Sequence, residues 1–260
     1  MTMDRFIQQI AKKAGAAVLT RFGKDGVHYT KSDHRGDVVT KADLLSERII
    51  ISAIKKNYPQ HGIIAEESGR MNDTAEYVWI IDPVDGTLNF SLGVPLFGVM
   101  IALAHKRRIL LSAIYLPASK ELFFAKAGKG AFLNGRRIRR SRTRVFRQSM
   151  GTGPVRLAPR MVRFLKNFIR IAGHERGMMP SSLGSMAVNA CYVACGRRDW
   201  IVAIFGHVSD HDFAPVSLVL KEAGCRVTDT QGNPWKLGQL EMVAANPTLH
   251  KQLLRLTKNV

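Results

Sequence analysis

The sequence contains few cysteines, few acidic residues and no long apolar run. Its three cysteines, Cys191, Cys195 and Cys225, are typical of a protein kept in a reducing compartment. No stretch is apolar for long enough to cross a bilayer, and the first residues lack the apolar centre of a signal peptide. Internal repeats and low-complexity linkers are absent as well. We therefore expect a cytoplasmic protein that is not embedded in a membrane.

Acidic residues are scarce beside basic ones. The chain has 39 Lys and Arg against 20 Asp and Glu, which gives a formal net charge of +19. The densest basic run covers residues 136–144, and others cover residues 106–108 and 156–176. Such runs can bind nucleic acid through its phosphates, steer anionic substrates, or simply keep the protein soluble. Aromatic residues are scarce around them, which argues against a platform that stacks single-stranded bases.

The most informative segment is a pair of acids that follows an apolar run. Residues 78–81 are typical of a buried strand, which we expect to stop at the Asp-Pro pair that begins at Asp82. Asp82 and Asp85 then lie on one turn, where oxygen ligands suit a hard cation such as Mg²⁺. Gly86 and Thr87 follow with backbone amides, and a helix N-terminus, that suit a phosphate. An ordinary turn has the same composition, so this segment alone leaves both interpretations open.

Three further acidic positions lie at the boundaries of predicted elements. Glu66 ends another apolar run, Asp43 opens a segment with helical apolar spacing, and Asp212 precedes a second such segment. Taken singly, Glu66 could belong to a solvated turn, and Asp43 and Asp212 could be helix N-caps. Four acidic boundaries in one chain favour a joint metal site.

The motifs then match a family in their order along the chain. They include the segment Trp-Ile-Ile-Asp-Pro-Val-Asp-Gly-Thr at residues 79–87, which is highly specific. The other matching segments are residues 37–43, 66–68, 128–135, 184–185, 212–214 and 221–224. Together they resemble the inositol monophosphatase family of Mg²⁺-dependent, lithium-sensitive phosphatases, and the resemblance covers nearly the whole chain.

The resemblance implies a set of metal ligands. Glu66 and Asp82 would bind a first Mg²⁺ together with the backbone carbonyl of Val84. Asp82, Asp85 and Asp212 would bind a second, so that Asp82 would bridge the two ions. The family implies two or three ions in all.

The resemblance also implies the groups that act on the substrate. Asp43 and Thr87 would orient the attacking water, with Glu66 close by, so these three residues are the expected catalytic groups. The amides of Gly86 and Thr87 would hold the phosphate. One metal ion would activate the water, and the two ions together would neutralise the negative charge on the phosphoryl oxygens and the leaving group.

The chain departs from the inositol phosphatases where the substrate would lie. Gly184 and Ser185 match the family's substrate region, but residues 180–183 lack an Arg that many relatives carry. His211 replaces a Trp, and Phe205 replaces a Glu that contacts substrate hydroxyls. A phenyl ring cannot accept hydrogen bonds from a polyol, so inositol 1-phosphate itself is placed in doubt. Phe205 either packs against an apolar leaving group or fills the edge of the core.

The coarse pattern predicts an α+β protein. A chain of 260 residues with 46% hydrophobic residues can bury a large core. The resemblance implies a layered α-β-α-β-α sandwich. We expect an α+β half at residues 1–145, with the metal-binding motifs, and an α/β half at residues 146–260 that completes the site in one compact unit. The predicted helices cover residues 6–22, 43–56, 160–172, 185–194, 212–223 and 248–256. The predicted strands cover residues 62–65, 78–81, 99–104, 109–115, 121–126, 131–133, 200–205 and 242–245, with further strand signals at Val227 and Trp235.

The expected function is that of a Mg²⁺-dependent phosphomonoesterase. Its substrate would be a small phosphorylated alcohol, such as an inositol or sugar phosphate. Histidinol phosphate and the 2′- or 3′-phosphate of a nucleotide are alternatives. A non-catalytic, basic, RNA-associated member of the family is a further alternative. The partners we expect are the small substrate, a second copy of the chain in a homodimer, and weakly bound nucleic acid on the basic surface, with no membrane.

Overall fold

The computed structural model describes residues 1–31, 38–153, 159–172, 180–204 and 210–257. The helices within these ranges are α1 (Met3–Arg21), α2 (Lys41–Asn57), α3 (Thr87–Ser91), α4 (Pro159–Ala172), α5 (Met186–Ala194), α6 (Asp210–Glu222) and α7 (Pro247–Thr257), with a 3-10 turn at Phe146–Gln148. The strands of the first half are β1 (Tyr29–Thr30), β2 (Val38–Val39), β3 (Gly62–Ala65), β4 (Gly69–Met71), β5 (Tyr77–Asp85), β6 (Gly98–His105), β7 (Arg108–Leu116), β8 (Glu121–Lys126), β9 (Gly130–Leu133) and β10 (Arg136–Ile138). Those of the second half are β11 (Gly151–Thr152), β12 (Trp200–Ile204), β13 (Arg226–Thr228) and β14 (Glu241–Ala245).

Two sheets organise the described residues, beside the short pair β1–β2. The larger sheet has eight strands in the order β10-β9-β8-β7-β6-β5-β3-β4. Its strands pair antiparallel except for β3 and β5, which run parallel. The smaller sheet has the order β11-β12-β14-β13, with one parallel pair, β11 and β12.

Helices cover both faces of both sheets. Helices α1 and α2 pack on one face of the large sheet, where Ile10, Ile50 and Leu103 share a buried cluster. Helices α5 and α6 lie between the two sheets, and α4 and α7 pack on the outer face of the small sheet. The layers therefore alternate α-β-α-β-α, which confirms the predicted fold class. No helix in the described ranges is both long and apolar enough to span a membrane.

Strand β5 does not stop at the Asp-Pro pair as expected. It continues through Pro83 to Asp85, and its register against β6 shifts between Asp82 and Asp85. Proline has no amide hydrogen for the ladder, and a β-bulge accommodates it by leaving the extra residues unpaired. The Pro83 carbonyl, freed in this way, accepts a hydrogen bond of 2.8 Å from Ser46 on α2. The bulge therefore sets both aspartates at the end of a buried strand.

Helix α2 begins two residues earlier than predicted. Thr40 is its N-cap, and Asp43 is the third residue of the first turn, so Asp43 is not itself the cap. Asp43 accepts hydrogen bonds from the Thr40 backbone amide and hydroxyl at 2.8 and 2.5 Å. This arrangement is a capping box, which a Thr followed three residues later by an acid can form.

Two other expectations about elements change, and a third is not tested. Helix α6 covers Asp210–Glu222, so Asp212 lies inside its first turn and is not its N-cap. Trp235 is not part of a strand, although its amide bonds the Val227 carbonyl at 3.3 Å. The predicted end of β12 at Phe205 lies outside the described residues.

The close approach of β11 to β12 yields a test of packing. A Cβ on Gly151 would lie 1.9 Å from Cζ2 of the buried Trp200. We expect Gly151→Ala to lower the free energy of unfolding by about 1–3 kcal/mol, because the indole must shift within a packed core. Urea denaturation measures this change. Gly26→Ala is the control, since nothing lies within 4 Å of its added Cβ. Equal midpoints for both variants would contradict the packing described.

Candidate active site

Asp82 lies at the bulge of β5 with a carboxylate that is almost fully buried. Its side chain is 2% exposed, and no hydrogen-bond donor among the described residues reaches its Oδ1. Burial raises the pKa of Asp82 well above its ordinary value, and nearby carboxylates raise it further. Those carboxylates are Glu66, Asp85 and Asp212. A buried carboxylate oxygen without a donor, surrounded by like charges, is a position that a cation would satisfy.

Three of the predicted ligands converge in space. Oxygens of Asp82, Asp85 and Asp212 all lie within 4.8 Å of one another. The first two come from β5 and the third from the first turn of α6, so the cluster joins parts of the chain more than a hundred residues apart. Oxygen donors at this separation suit Mg²⁺ or a similar hard cation.

Asp85 is held in place by the start of α5. Its two carboxylate oxygens accept hydrogen bonds from the amides of Met186 and Ala187 at 2.9 and 2.8 Å, and Ser185 Oγ donates a short third bond. Burial raises the pKa of Asp85 to about 7; these hydrogen bonds oppose the rise and the charge of Asp212 adds to it. The helix therefore orients this carboxylate and partly balances its charge.

Asp43 and Thr87 form the pair that the family resemblance implies. Thr87 Oγ1 lies 3.0 Å from Asp43 Oδ1 and 2.7 Å from the Val84 carbonyl oxygen. The hydroxyl has one proton and can donate to only one of these acceptors at a time. Asp43 is fully buried, and burial raises its pKa to about 6 against the opposing bonds from Thr40. At neutral pH the ionised carboxylate is therefore a good acceptor for the threonine proton.

Glu66 lies beside the cluster but is paired with a lysine. Lys31 Nζ lies 2.8 Å from an oxygen of Glu66 and 2.8 Å from one of Glu67. Burial alone would lower the pKa of Lys31, but both carboxylates raise it above its ordinary value. Burial raises the pKa of Glu67 to about 7. Lys31 was not predicted from the sequence, because one lysine in a basic chain carries no signal of a partner 35 residues away.

Glu47 is a second residue that the motifs did not indicate. It lies on α2 one turn after Asp43 and is 3% exposed. Its Oε2 accepts a hydrogen bond of 2.9 Å from the Glu67 amide, and its Oε1 accepts a short bond from the Ser68 hydroxyl. Glu47 therefore holds the turn that carries Glu66. An acid on the buried face of an otherwise apolar helix is the signal that could have found it.

Two glycines allow the segments around the site to approach closely. Gly86 and Gly184 both have positive φ, of 87° and 67°. A Cβ on Gly184 would lie 2.6 Å from Asn89 Oδ1, and one on Gly86 would lie 2.9 Å from the Leu96 carbonyl oxygen. Asn89 Nδ2 ties the segments together by donating to the carbonyls of Leu96 and Leu183 at 2.7 and 2.8 Å. Any side chain at either glycine would separate these segments.

One further position that the sequence singled out lies at the edge of the cluster. His211 is half-buried, with Nε2 3.6 Å from an oxygen of Asp212. Phe205 lies outside the described residues, so its suggested contact with the substrate stays a prediction. The described site thus brings together Asp43, Glu66, Asp82, Val84, Asp85, Gly86, Thr87, Gly184, Ser185 and Asp212.

A buried carboxylate cluster within five alternating layers defines a candidate metal-binding protein of the layered α-β-α-β-α class. Comparison with known proteins then specifies the family. The chain belongs to the inositol monophosphatase family, whose profile matches residues 1–260.

Individual relatives carry different names. The chain is 36% identical over 250 residues to the Nus factor SuhB of Pasteurella multocida, covering 94% of this chain and 91% of the relative. It is 32% identical over 262 residues to the fructose-1,6-bisphosphatase/inositol-1-monophosphatase of Thermotoga maritima, covering 99% and 97%. The solved structure of an IMPase from Thermotoga maritima superposes with a TM-score of 0.87 at 31% identity, covering 99% of this chain and 98% of that one.

The raised pKa values predict how stability depends on pH. Asp43 and Asp85 bind protons more tightly in the folded protein than in the unfolded chain, so their contribution to stability is greatest below about pH 4. This contribution is lost as the pH rises through about 6 to 7. We expect the thermal midpoint of EDTA-treated protein to fall between about pH 5 and pH 8, as followed by circular dichroism.

The matched variant for this measurement is Asp82→Asn. It removes one buried like charge while keeping the shape of the side chain, so its midpoint near neutral pH should exceed that of the unchanged protein. The variant Glu76→Gln changes an exposed carboxylate in the same way and should have no such effect. A midpoint that rises with pH, or that Asp82→Asn lowers, would refute the electrostatic account.

The contacts of Glu47 give a second prediction. Glu47→Gln keeps the volume but exchanges an acceptor oxygen for an amide nitrogen opposite the Glu67 amide or the Ser68 hydroxyl. We expect the affinity for Mg²⁺, measured by calorimetric titration, to fall about 10- to 100-fold, because the turn that carries Glu66 loses its anchor. Ser68→Ala removes only the hydroxyl bond and should have a smaller effect in the same direction. Unchanged Mg²⁺ affinity in Glu47→Gln would show that the contact is only structural.

Proposed function

We propose that the protein is a Mg²⁺-dependent phosphomonoesterase that hydrolyses a small phosphorylated alcohol with an activated water. The observation that carries this proposal is the buried, unpartnered oxygen of Asp82 beside Asp85 and Asp212. Three converging carboxylates have no structural benefit, because each buried like charge opposes folding. Membership of a phosphatase family supports the same function.

The residues present fit a hard cation. Glu66 and Asp82, with the carbonyl of Val84, would hold one ion, and Asp82, Asp85 and Asp212 would hold a second. All these donors are oxygens, which Mg²⁺ prefers. When bound, the ions supply positive charge for the phosphoryl oxygens and lower the pKa of a bound water.

The chain's own groups supply the proton acceptor. We assign Asp43 Oδ1 as the acceptor of the Thr87 hydroxyl proton, which leaves Thr87 Oγ1 free to accept a proton from the attacking water. Two hydrogen bonds from Thr40 keep Asp43 in position and favour its ionised form. A water held at Thr87 would therefore be oriented and made more nucleophilic.

The start of α3 is the proposed phosphate position. Gly86 and Thr87 open this short helix, whose first amides are not used by the helix itself. Gly184 and Ser185 would close the opposite side. Because Ser185 donates its proton to Asp85, it can only accept hydrogen bonds from a substrate hydroxyl.

The substrate class is a small phosphorylated alcohol. The name of the Thermotoga maritima relative supports a sugar or inositol phosphate. Histidinol phosphate and a nucleotide 2′- or 3′-phosphate stay as alternatives, because Phe205 replaces the polyol-contacting Glu of the inositol phosphatases. We further propose lithium inhibition, a homodimer, a cytoplasmic location, and two halves, residues 1–145 and 146–260, joined as one compact unit.

A second candidate function is a non-catalytic role with RNA. The name of the Pasteurella multocida relative, a Nus factor, and the net charge of +19 support it. The intact acidic cluster favours the enzyme, because binding RNA requires no buried carboxylates.

Phosphate release across a substrate panel tests the enzymatic proposal. The panel holds inositol 1-phosphate, fructose 1,6-bisphosphate, histidinol phosphate, 3′-phosphoadenosine 5′-phosphate and NADP⁺, each with and without Mg²⁺. We expect one preferred substrate, with turnover lost without metal and reduced at least about a thousandfold in Asp82→Asn. Glu76→Gln is the control and should keep full activity.

Variants of Thr87 test the proton path separately. Thr87→Ser keeps the hydroxyl and should retain most activity, whereas Thr87→Ala should lose about 10²- to 10³-fold in kcat with little change in KM.

Two outcomes would contradict these proposals. Full activity in Asp82→Asn would overturn the metal assignment. Equal activity in both Thr87 variants would overturn the role of the hydroxyl.

A further inference from the structure

Three adjoining clefts form one groove along the basic run and the start of α7. Their volumes are about 330, 450 and 480 Å³. The first two clefts share Arg140 and Arg142, and the last two share Pro247 and Thr248, so the groove is continuous. We name it the arginine groove after its basic lining residues, Arg137, Arg139, Arg140, Arg142, Arg144, Lys251 and Arg255.

The positive charge of the arginine groove is not neutralised by neighbouring acids. Arg140 donates to the carbonyls of Gly224 and Ser141, at 2.6 and 2.9 Å, which are neutral acceptors. The other six cations have no hydrogen bond or ion pair from their side chains among the described residues. The one lining carboxylate, Glu222, accepts hydrogen bonds from two backbone amides at 2.8 Å. The groove therefore presents a row of available donors.

We propose that the arginine groove binds the phosphate backbone of RNA without reading its sequence. Arginine forks match phosphate oxygens bidentately, and six of the seven cations are arginines. No aromatic residue lines the groove within the described part of the chain, so bases have no ring on which to stack.

Neutral side chains in the groove favour RNA over other polyanions. Lys251, Gln252 and Arg255 lie three, four and seven positions after Thr248 on α7. The four residues therefore share one face of the helix. Hydroxyl and amide groups between cations can bond the 2′-hydroxyls that distinguish RNA from DNA. An acidic peptide would need apolar anchors, and the groove offers little beyond Ile138 and Pro247.

The groove is separate from the acidic cluster. It is lined by Glu222, Ala223 and Gly224 at the C-terminal end of α6, whereas Asp212 lies in the first turn of that helix. Eleven residues of helix place the two ends about 16 Å apart. RNA binding and phosphate hydrolysis are therefore expected to be independent, and the inference goes beyond the proposed enzymatic function.

Fluorescence anisotropy with a labelled RNA hairpin tests the proposal. The full-length protein should bind with an affinity that falls steeply between about 50 and 200 mM salt. Arg142→Gln/Arg144→Gln should lower the slope of log K against log salt by about 2 and weaken binding at least about tenfold at low salt. Lys12→Gln/Lys13→Gln removes the same charge from exposed positions on α1, in the opposite outer layer, and should leave binding unchanged.

Further measurements test the location of the site, the choice of RNA as ligand and its independence from catalysis. Equal losses in both double variants would show diffuse attraction and overturn the groove as a site. A DNA duplex of the same sequence that binds as tightly, or polyglutamate that competes as well as RNA, would overturn the choice of RNA. Phosphate release should be unchanged in Arg142→Gln/Arg144→Gln, and Asp82→Asn should bind RNA normally. Failure of one function is thereby distinguished from failure of the other.

Discussion

The burial of Asp82 among like charges is the constraint on which the rest of the site depends. Three other carboxylates raise its pKa, and each of them is held in position by a helix. Asp85 is held by α5, Asp212 lies on α6, and Glu66 stands on a turn tied to α2 through Glu47. The elements therefore share the cost of keeping these acids close together, and none does so alone.

The distribution of charge follows from that constraint. The acids of the cluster face inward, so the outer surface is more basic than the net charge of +19 indicates. A buried negative site below a positive surface attracts anions from a distance and cations at close range. A metal-dependent enzyme acting on phosphate esters needs to attract both its anionic substrate and its metal ions. The same excess of basic surface residues leaves the arginine groove without acids to balance its charge.

Local patterns predicted most of the elements, and tertiary contacts explain what they missed. The apolar spacing of α2 was sufficient because the helix buries one face, and the apolar runs of β6, β7 and β8 were sufficient because short polar turns separate them. The start of α2 was misplaced because Thr40, and not Asp43, caps it. The end of β5 was misplaced because Pro83 is accommodated by a bulge. Lys31 acts through partners about 35 residues away, which a single sequence does not reveal, whereas Glu47 had a weak signal as an acid on the buried face of α2.

The hydrogen bonds that Asp85 accepts from the start of α5 affect the order in which parts of the structure can form during synthesis. The cluster that includes Phe6, Ile50 and Leu103 draws all its buried members from residues 6–122, so this layer can pack while the remainder is still being translated. The cluster between the sheets includes residues from Met100 to Ala244. Until α5 emerges from the ribosome, Asp85 lacks its three donors, and until α6 follows, the acidic cluster lacks its third member. A nascent chain therefore carries the family's most specific motif well before it can use it.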